Sequence, residues 1–170
     1  MKHKNLIREI VLSGLLISMG LIFPMIFHAF NLGREFLPMH IPVLFAGFIL
    51  SMPYAVAVGA LTPLLSSVFT GMPVLFPVMP YMVFELAAYA AVANFLSKKA
   101  GRNPYIALIG SMIAGRIVAG VAVWLLVMLF NAKLPGPVAF VISAVTSGLP
   151  GIIIQLAVIP PMVVVLKKAK

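Results

Sequence analysis

Cysteine is absent from the 170 residues, and only three side chains are acidic. The first absence excludes disulfides, thiolate zinc sites, cysteine-ligated iron–sulfur clusters and cysteine nucleophiles. The second, with three unclustered histidines, leaves no metal-ligand set and no paired carboxylates, so neither a metal nor a cofactor is expected. There is no Ser-His-Asp arrangement and no phosphate-cradling glycine loop with its lysine. Nucleophilic catalysis is therefore not expected, and the chain by itself cannot drive transport with ATP. Charge of either sign is scarce at 9%, against 63% hydrophobic residues and a mean hydropathy of +1.18. Soluble domains average about a quarter charged residues, so the composition indicates an integral membrane protein. The formal charge of +9 does not call for nucleic acid, because Lys and Arg of membrane chains collect in loops that stay cytoplasmic.

A membrane-crossing helix needs about 20 residues. Residues 6–30 form the first such run, interrupted by Arg8 and Glu9. It is too long for a cleaved signal and lacks a small-residue cleavage site, so it reads as an anchor. Residues 80–97 and 104–130 are clear spans, as is 138–166, which contains Pro150, Pro160 and Pro161. The stretch 41–69 reads as one broken helix or as two short legs, 41–51 and 54–69, hinged at Met52-Pro53. Nine of the twelve cations fall in three clusters: Lys2, Lys4 and Arg8; Lys98, Lys99 and Arg102; Lys167, Lys168 and Lys170. Placing all three inside requires an even number of crossings between the first two, which only the two-leg reading supplies. The expectation is an all-α, single-domain bundle of six transmembrane helices with both termini cytoplasmic. Its outer loops, at about 31–40, 70–79 and 131–137, carry only Arg34, Glu35 and Lys133 as charged residues.

Ionisable residues in a span are expensive and mark functional sites by default. Glu85 and Arg116 are the two in mid-span, each about 18 Å from the cytoplasmic end of its helix at 1.5 Å per residue. Gln155 lies about 16 Å from that same face. Glu85 and Arg116 either neutralise each other between neighbouring helices or form the floor of a pocket open to the outside. In the second case a solute meets a carboxylate, a guanidinium and a carboxamide. Tyr89 shares the face of Glu85 and offers a ring and a hydroxyl. Asn94, deeper, reads as an interhelical hydrogen bond.

The first two outer loops are apolar and proline-stiffened, as lids over a ligand or as segments packed on lipid headgroups. His40 either bonds a ligand from the first of them or is an interfacial residue with a wet tip. Small residues at Gly14 and Ser18, and at Gly110, Ala114 and Gly115, permit close helix contacts.

Several strings stand out together: Leu37-Pro38-Met39-His40-Ile41-Pro42-Val43-Leu44, Thr62-Pro63-Leu64-Leu65-Ser66-Ser67 with Thr70-Gly71-Met72-Pro73, and Phe84-Glu85-Leu86-Ala87-Ala88-Tyr89. Gly115-Arg116-Ile117-Val118 and Leu149-Pro150-Gly151-Ile152, with Gln155 and Ile159-Pro160, follow in the last two helices. The combination resembles the substrate-binding S components of energy-coupling factor (ECF) transporters over nearly the whole chain. The resemblance implies a six-helix bundle in the bacterial plasma membrane that captures a water-soluble vitamin or precursor near the outer face. A transmembrane coupling subunit and two cytoplasmic ATPases would power uptake. It further implies a pocket built from outer loops and the last three helices, where Glu85, Tyr89, Arg116 and Gln155 fall. Docking on the coupling subunit would run through the first helix, where Gly14 and Ser18 stand in place of the family's two alanines. Niacin, pantothenate, a pyridoxine-like or pyrimidine ring, or a cobalamin-precursor base all suit the polar plane. Other classes remain open: a self-sufficient channel or proton-coupled carrier using Glu85, or a ligand-free membrane scaffold.

Overall fold

A computed structural model describes residues 2–168. Lys170, and the side chains of Lys2, Lys4, Arg34 and Lys167, lie outside the described residues. Every regular element described is helical: α1 (Lys2–Ala29), α2 (Gly33–Phe36), α3 (His40–Ile49), α4 (Met52–Thr70), α5 (Val78–Asn94), α6 (Pro104–Phe130), α7 (Pro137–Ser147) and α8 (Leu149–Lys168). A π turn at Phe95–Lys99 prolongs α5. Five helices are long and apolar enough to cross a membrane, namely α1, α4, α5 with its π turn, α6 and α8.

The stretch 41–69 is divided at Ser51, which has extended backbone and caps α4, with Pro53 in the first turn of that helix. Proline has no N–H to bond and fixes a helical φ, so it begins a helix more readily than it continues one. The same rule acts on the last span, which sequence reading took as one helix over 138–166. It is two helices, parted at Gly148, because Pro150 offers no N–H to the carbonyl four residues back. Pro160 and Pro161, by contrast, lie within α8 without ending it.

α3 is only about 15 Å long at 1.5 Å per residue, yet seven of its ten residues are buried. It runs inside the bundle, against α1, α4, α5 and α8. Its last carbonyls, which have no partner in the helix, receive side chains instead. Asn94 Nδ2 donates to the carbonyls of Gly47 (2.9 Å) and Leu50 (2.7 Å), and Lys98 Nζ donates to that of Leu50. The interhelical hydrogen bond expected of Asn94 is thus made. Glu9, from α1, reaches the following helix: its Oε2 accepts from the N–H (2.9 Å) and the hydroxyl (3.2 Å) of Ser51. A carboxylate at a helix N-terminus meets unpaired N–H groups and the positive end of the dipole.

These contacts bring the Glu9 part of α1, the α3–α4 turn and the Lys98 link together at one end of the bundle. α5 packs on α3, α4 and α6. Two glycines let its neighbours close in, since a Cβ on Gly47 would stand 2.8 Å from the Ala90 carbonyl oxygen and one on Gly59 2.5 Å from that of Leu86. Such backbone contact is the usual source of cohesion where lipid is the solvent and burial of apolar surface gains little.

Replacing Asn94 with Leu leaves the buried Gly47 carbonyl without its donor. The expected loss is about 1–3 kcal/mol, read as a lowered thermal midpoint in detergent; an unchanged midpoint would show that the bond contributes nothing net.

Candidate functional site

Glu85 lies seven residues into α5, or about 10 Å below its first residue at 1.5 Å each. Arg116 comes from α6, and its Nη1 stands 2.6 Å from Glu85 Oε1. Tyr89, one turn further along α5, donates its hydroxyl to that same Oε1 at 3.0 Å. The tyrosine has room only because α6 has no side chain at position 115: a Cβ on Gly115 would come within 2.3 Å of the ring. The dipeptide Gly115-Arg116 therefore performs two tasks at one turn of α6, admitting the ring and answering the carboxylate.

His40 opens α3, and its ring centroid lies 5.4 Å from that of Tyr89. At 4% exposure it is buried rather than wet, which removes the interfacial alternative. Neither ring nitrogen has a hydrogen-bond partner. A neutral imidazole always presents one donor and one acceptor, so both capacities stand unused.

Beside these groups is a cavity of about 430 Å³. Glu85, Arg116 and His40 line it; so do Met39 and Met82, and the rings of Tyr81 and Phe140, which meet edge to face with centroids 4.9 Å apart. Both apolar loops contribute, through Leu37 and Pro38 on one side and Met72, Pro73 and Val74 on the other. Each loop is fastened to a helix. Ser66 Oγ donates to the Met72 carbonyl at 2.6 Å, and the Met72 N–H donates to Thr70 Oγ1 at 3.2 Å. The one-turn α2 sits on the start of α8, where a Cβ at Gly151 would meet the Phe36 carbonyl oxygen at 2.5 Å. Among the described residues no group of three or more His, Asp or Glu could hold a metal.

The structure brings Glu85, Tyr89, Arg116 and His40 together, with Tyr89 behind the carboxylate rather than on the cavity surface. Gln155 is apart from them: it is 1% exposed, its Nε2 has no partner, and it does not line the cavity. Gly14 and Ser18 face outward, with open space where a Cβ on Gly14 would stand and the Ser18 hydroxyl turned back to the Gly14 carbonyl at 2.9 Å. Sequence reading missed Tyr81, and it missed the wall given by α7, where Phe140, Ser143, Ala144 and Ser147 line the cavity. Both were signalled by spacing. Tyr81, Glu85 and Tyr89 recur every four residues, and the α7 set falls at i, i+3, i+4 and i+7, one face of a helix.

The family model described as ECF transporter, substrate-specific component, matches residues 8–163, and the chain belongs to that family. It is a multi-pass membrane protein, the substrate-specific part of a transporter that works with the transmembrane subunit and ATPases of an ECF module. Neither a curated protein nor a solved structure matched the chain.

Removing one partner of a buried ion pair strands the other charge, at a cost of about 3–5 kcal/mol. Arg116→Met and Glu85→Gln should therefore each lower stability sharply. The double variant should lose clearly less than the sum of the two, as read by denaturant or thermal unfolding of all four proteins. Strict additivity would show the two groups to be uncoupled.

Proposed function

We propose that this protein is the S component of an ECF-type ABC transporter in a bacterial plasma membrane, capturing a small water-soluble vitamin or vitamin precursor at the outer face for ATP-driven uptake. The observation that carries this reading is the cavity itself: a chamber of about 430 Å³ with an acid–guanidinium base and an apolar roof, in a member of a substrate-specific family. Ligand sites commonly have such a form, with predominantly apolar walls and a few converging polar groups.

Its orientation follows from charge. Glu9 and Lys98 lie at the end of the bundle opposite the cavity loops, and α8 runs about 30 Å (20 residues at 1.5 Å each) from its start against Phe36 to Lys168. The described members of the three cationic clusters then belong to one end, which the positive-inside tendency places in the cytoplasm, and both termini with it. The cavity faces outward. Six crossings result when the short, sheltered α3 counts as one leg and α7 with α8 as another. Power comes from a coupling subunit and two ATPases, and the outward small-residue face of α1 at Gly14 and Ser18 is where the coupling subunit docks. Glu85, already bonded by Arg116 and Tyr89, is poorly placed to act as the free titrating group of a self-sufficient carrier.

Uptake in cells should require the ATPases and should not follow a proton gradient in their absence. The molecule retained on purification, identified by mass spectrometry, should bind Arg116→Ala and Glu85→Ala more than about tenfold more weakly than the parent. That is the scale of losing one charge-assisted contact, about 1.5–3 kcal/mol. Folded variants that bind it normally would place the site elsewhere.

A further inference from the structure

Among the described residues the polar base of the cavity is electrically balanced. With histidine counted as neutral, its described lining carries one negative group and one positive group, Glu85 and Arg116, and these are already in contact. What the pair still offers is directional. Both bonds to Glu85 fall on Oε1, so neither uses Oε2, and a guanidinium has five N–H donors, of which one is directed to the carboxylate. An acceptor and a set of donors thus stand side by side, with the unpartnered His40 nitrogens beside them.

A carboxylate is a poor match for such a base. To reach Arg116 it must come next to the carboxylate of Glu85, and two anions would then share the site with the one cation among its described lining residues, an arrangement that disfavours binding. An uncharged edge with an N–H next to a carbonyl or ring nitrogen fits without that conflict: the N–H donates to Glu85 and the acceptor receives from Arg116. The walls favour a flat ring. Tyr81 and Phe140, in edge-to-face contact with each other, both line the cavity, and Met39, Met72 and Met82 supply thioethers that make favourable contacts with rings. The volume of about 430 Å³ lies toward the small end of ligand pockets, which span about 300–1,000 Å³, so one or two rings fit.

We infer that the cavity selects an uncharged heteroaromatic solute of one or two rings, carrying a hydrogen-bond donor and acceptor on neighbouring atoms of one edge, and discriminates against carboxylates. The inference rests on the transport reading above and narrows it, favouring ring precursors of the pyridoxine-like, pyrimidine or base type over niacin and pantothenate.

The test titrates the full chain in lipid nanodiscs, freed of retained ligand, with two matched pairs of probes: nicotinamide against nicotinate, and 4-aminopyrimidine against pyrimidine-4-carboxylate. The neutral member of each pair should bind at least about tenfold more tightly. In Glu85→Gln the preference should shrink or invert, because Arg116 then lacks its counter-ion. A carboxylate that binds the parent protein as tightly as its neutral partner overturns the inference and leaves the transport reading standing. Should neither pair bind at millimolar concentration, the retained molecule decides: an uncharged ring upholds the inference and an anion overturns it. No retained molecule together with no ATPase-dependent uptake removes both.

Discussion

The contact between Glu85 and Arg116 governs the arrangement around it. Either charge alone in the middle of an apolar bundle would cost about 3–5 kcal/mol; together, and with the Tyr89 hydroxyl on the same oxygen, they form a group that the interior can accommodate. Meeting the carboxylate fixes the register of α6 against α5. Seating the tyrosine ring requires that α6 have no side chain at Gly115. The pair thus determines which turns of two helices touch, and a binding surface can be placed on top of it.

A second constraint is the treatment of the two ends of α3. α3 stops inside the protein, and its terminal carbonyls are met by Asn94 and Lys98, while the N–H at Ser51 is met by Glu9. Non-helical backbone is tolerated at membrane depth only where protein or a cavity covers it. The start of α3 satisfies that condition, opening on the cavity through His40; its other end, beside Glu9 and Lys98 at the end of the bundle, is capped by neighbouring side chains.

Much of this was legible in the sequence because an α-helix has a fixed rise. Counting residues placed Glu85 and Arg116 at one level, and they meet. The parity of the cationic clusters, with Pro53, divided 41–69 into the two legs that the structure contains. Counting also put Gln155 near that level, but rise gives depth and not the side of the helix, and Gln155 does not line the cavity. The break at Gly148 was obscured because Pro150, Pro160 and Pro161 look alike in an apolar run, although only the first coincides with a helix start. The burial of His40 depends on how a loop folds back over the bundle, which no periodicity records. Glu9 looked like an interruption of an anchor helix; its partner, Ser51, is forty-two residues away.

The brevity of α3 has a consequence for capacity. Its ten residues reach about halfway across a hydrocarbon layer of about 30 Å, and the cavity is lined by its first residue and the three that precede it. Storage space in this architecture is subtraction: a helix of ordinary length would have filled the vessel with its own side chains. The open volume of about 430 Å³ is therefore tied to where the third helix begins, since its first residue, His40, is part of the cavity wall.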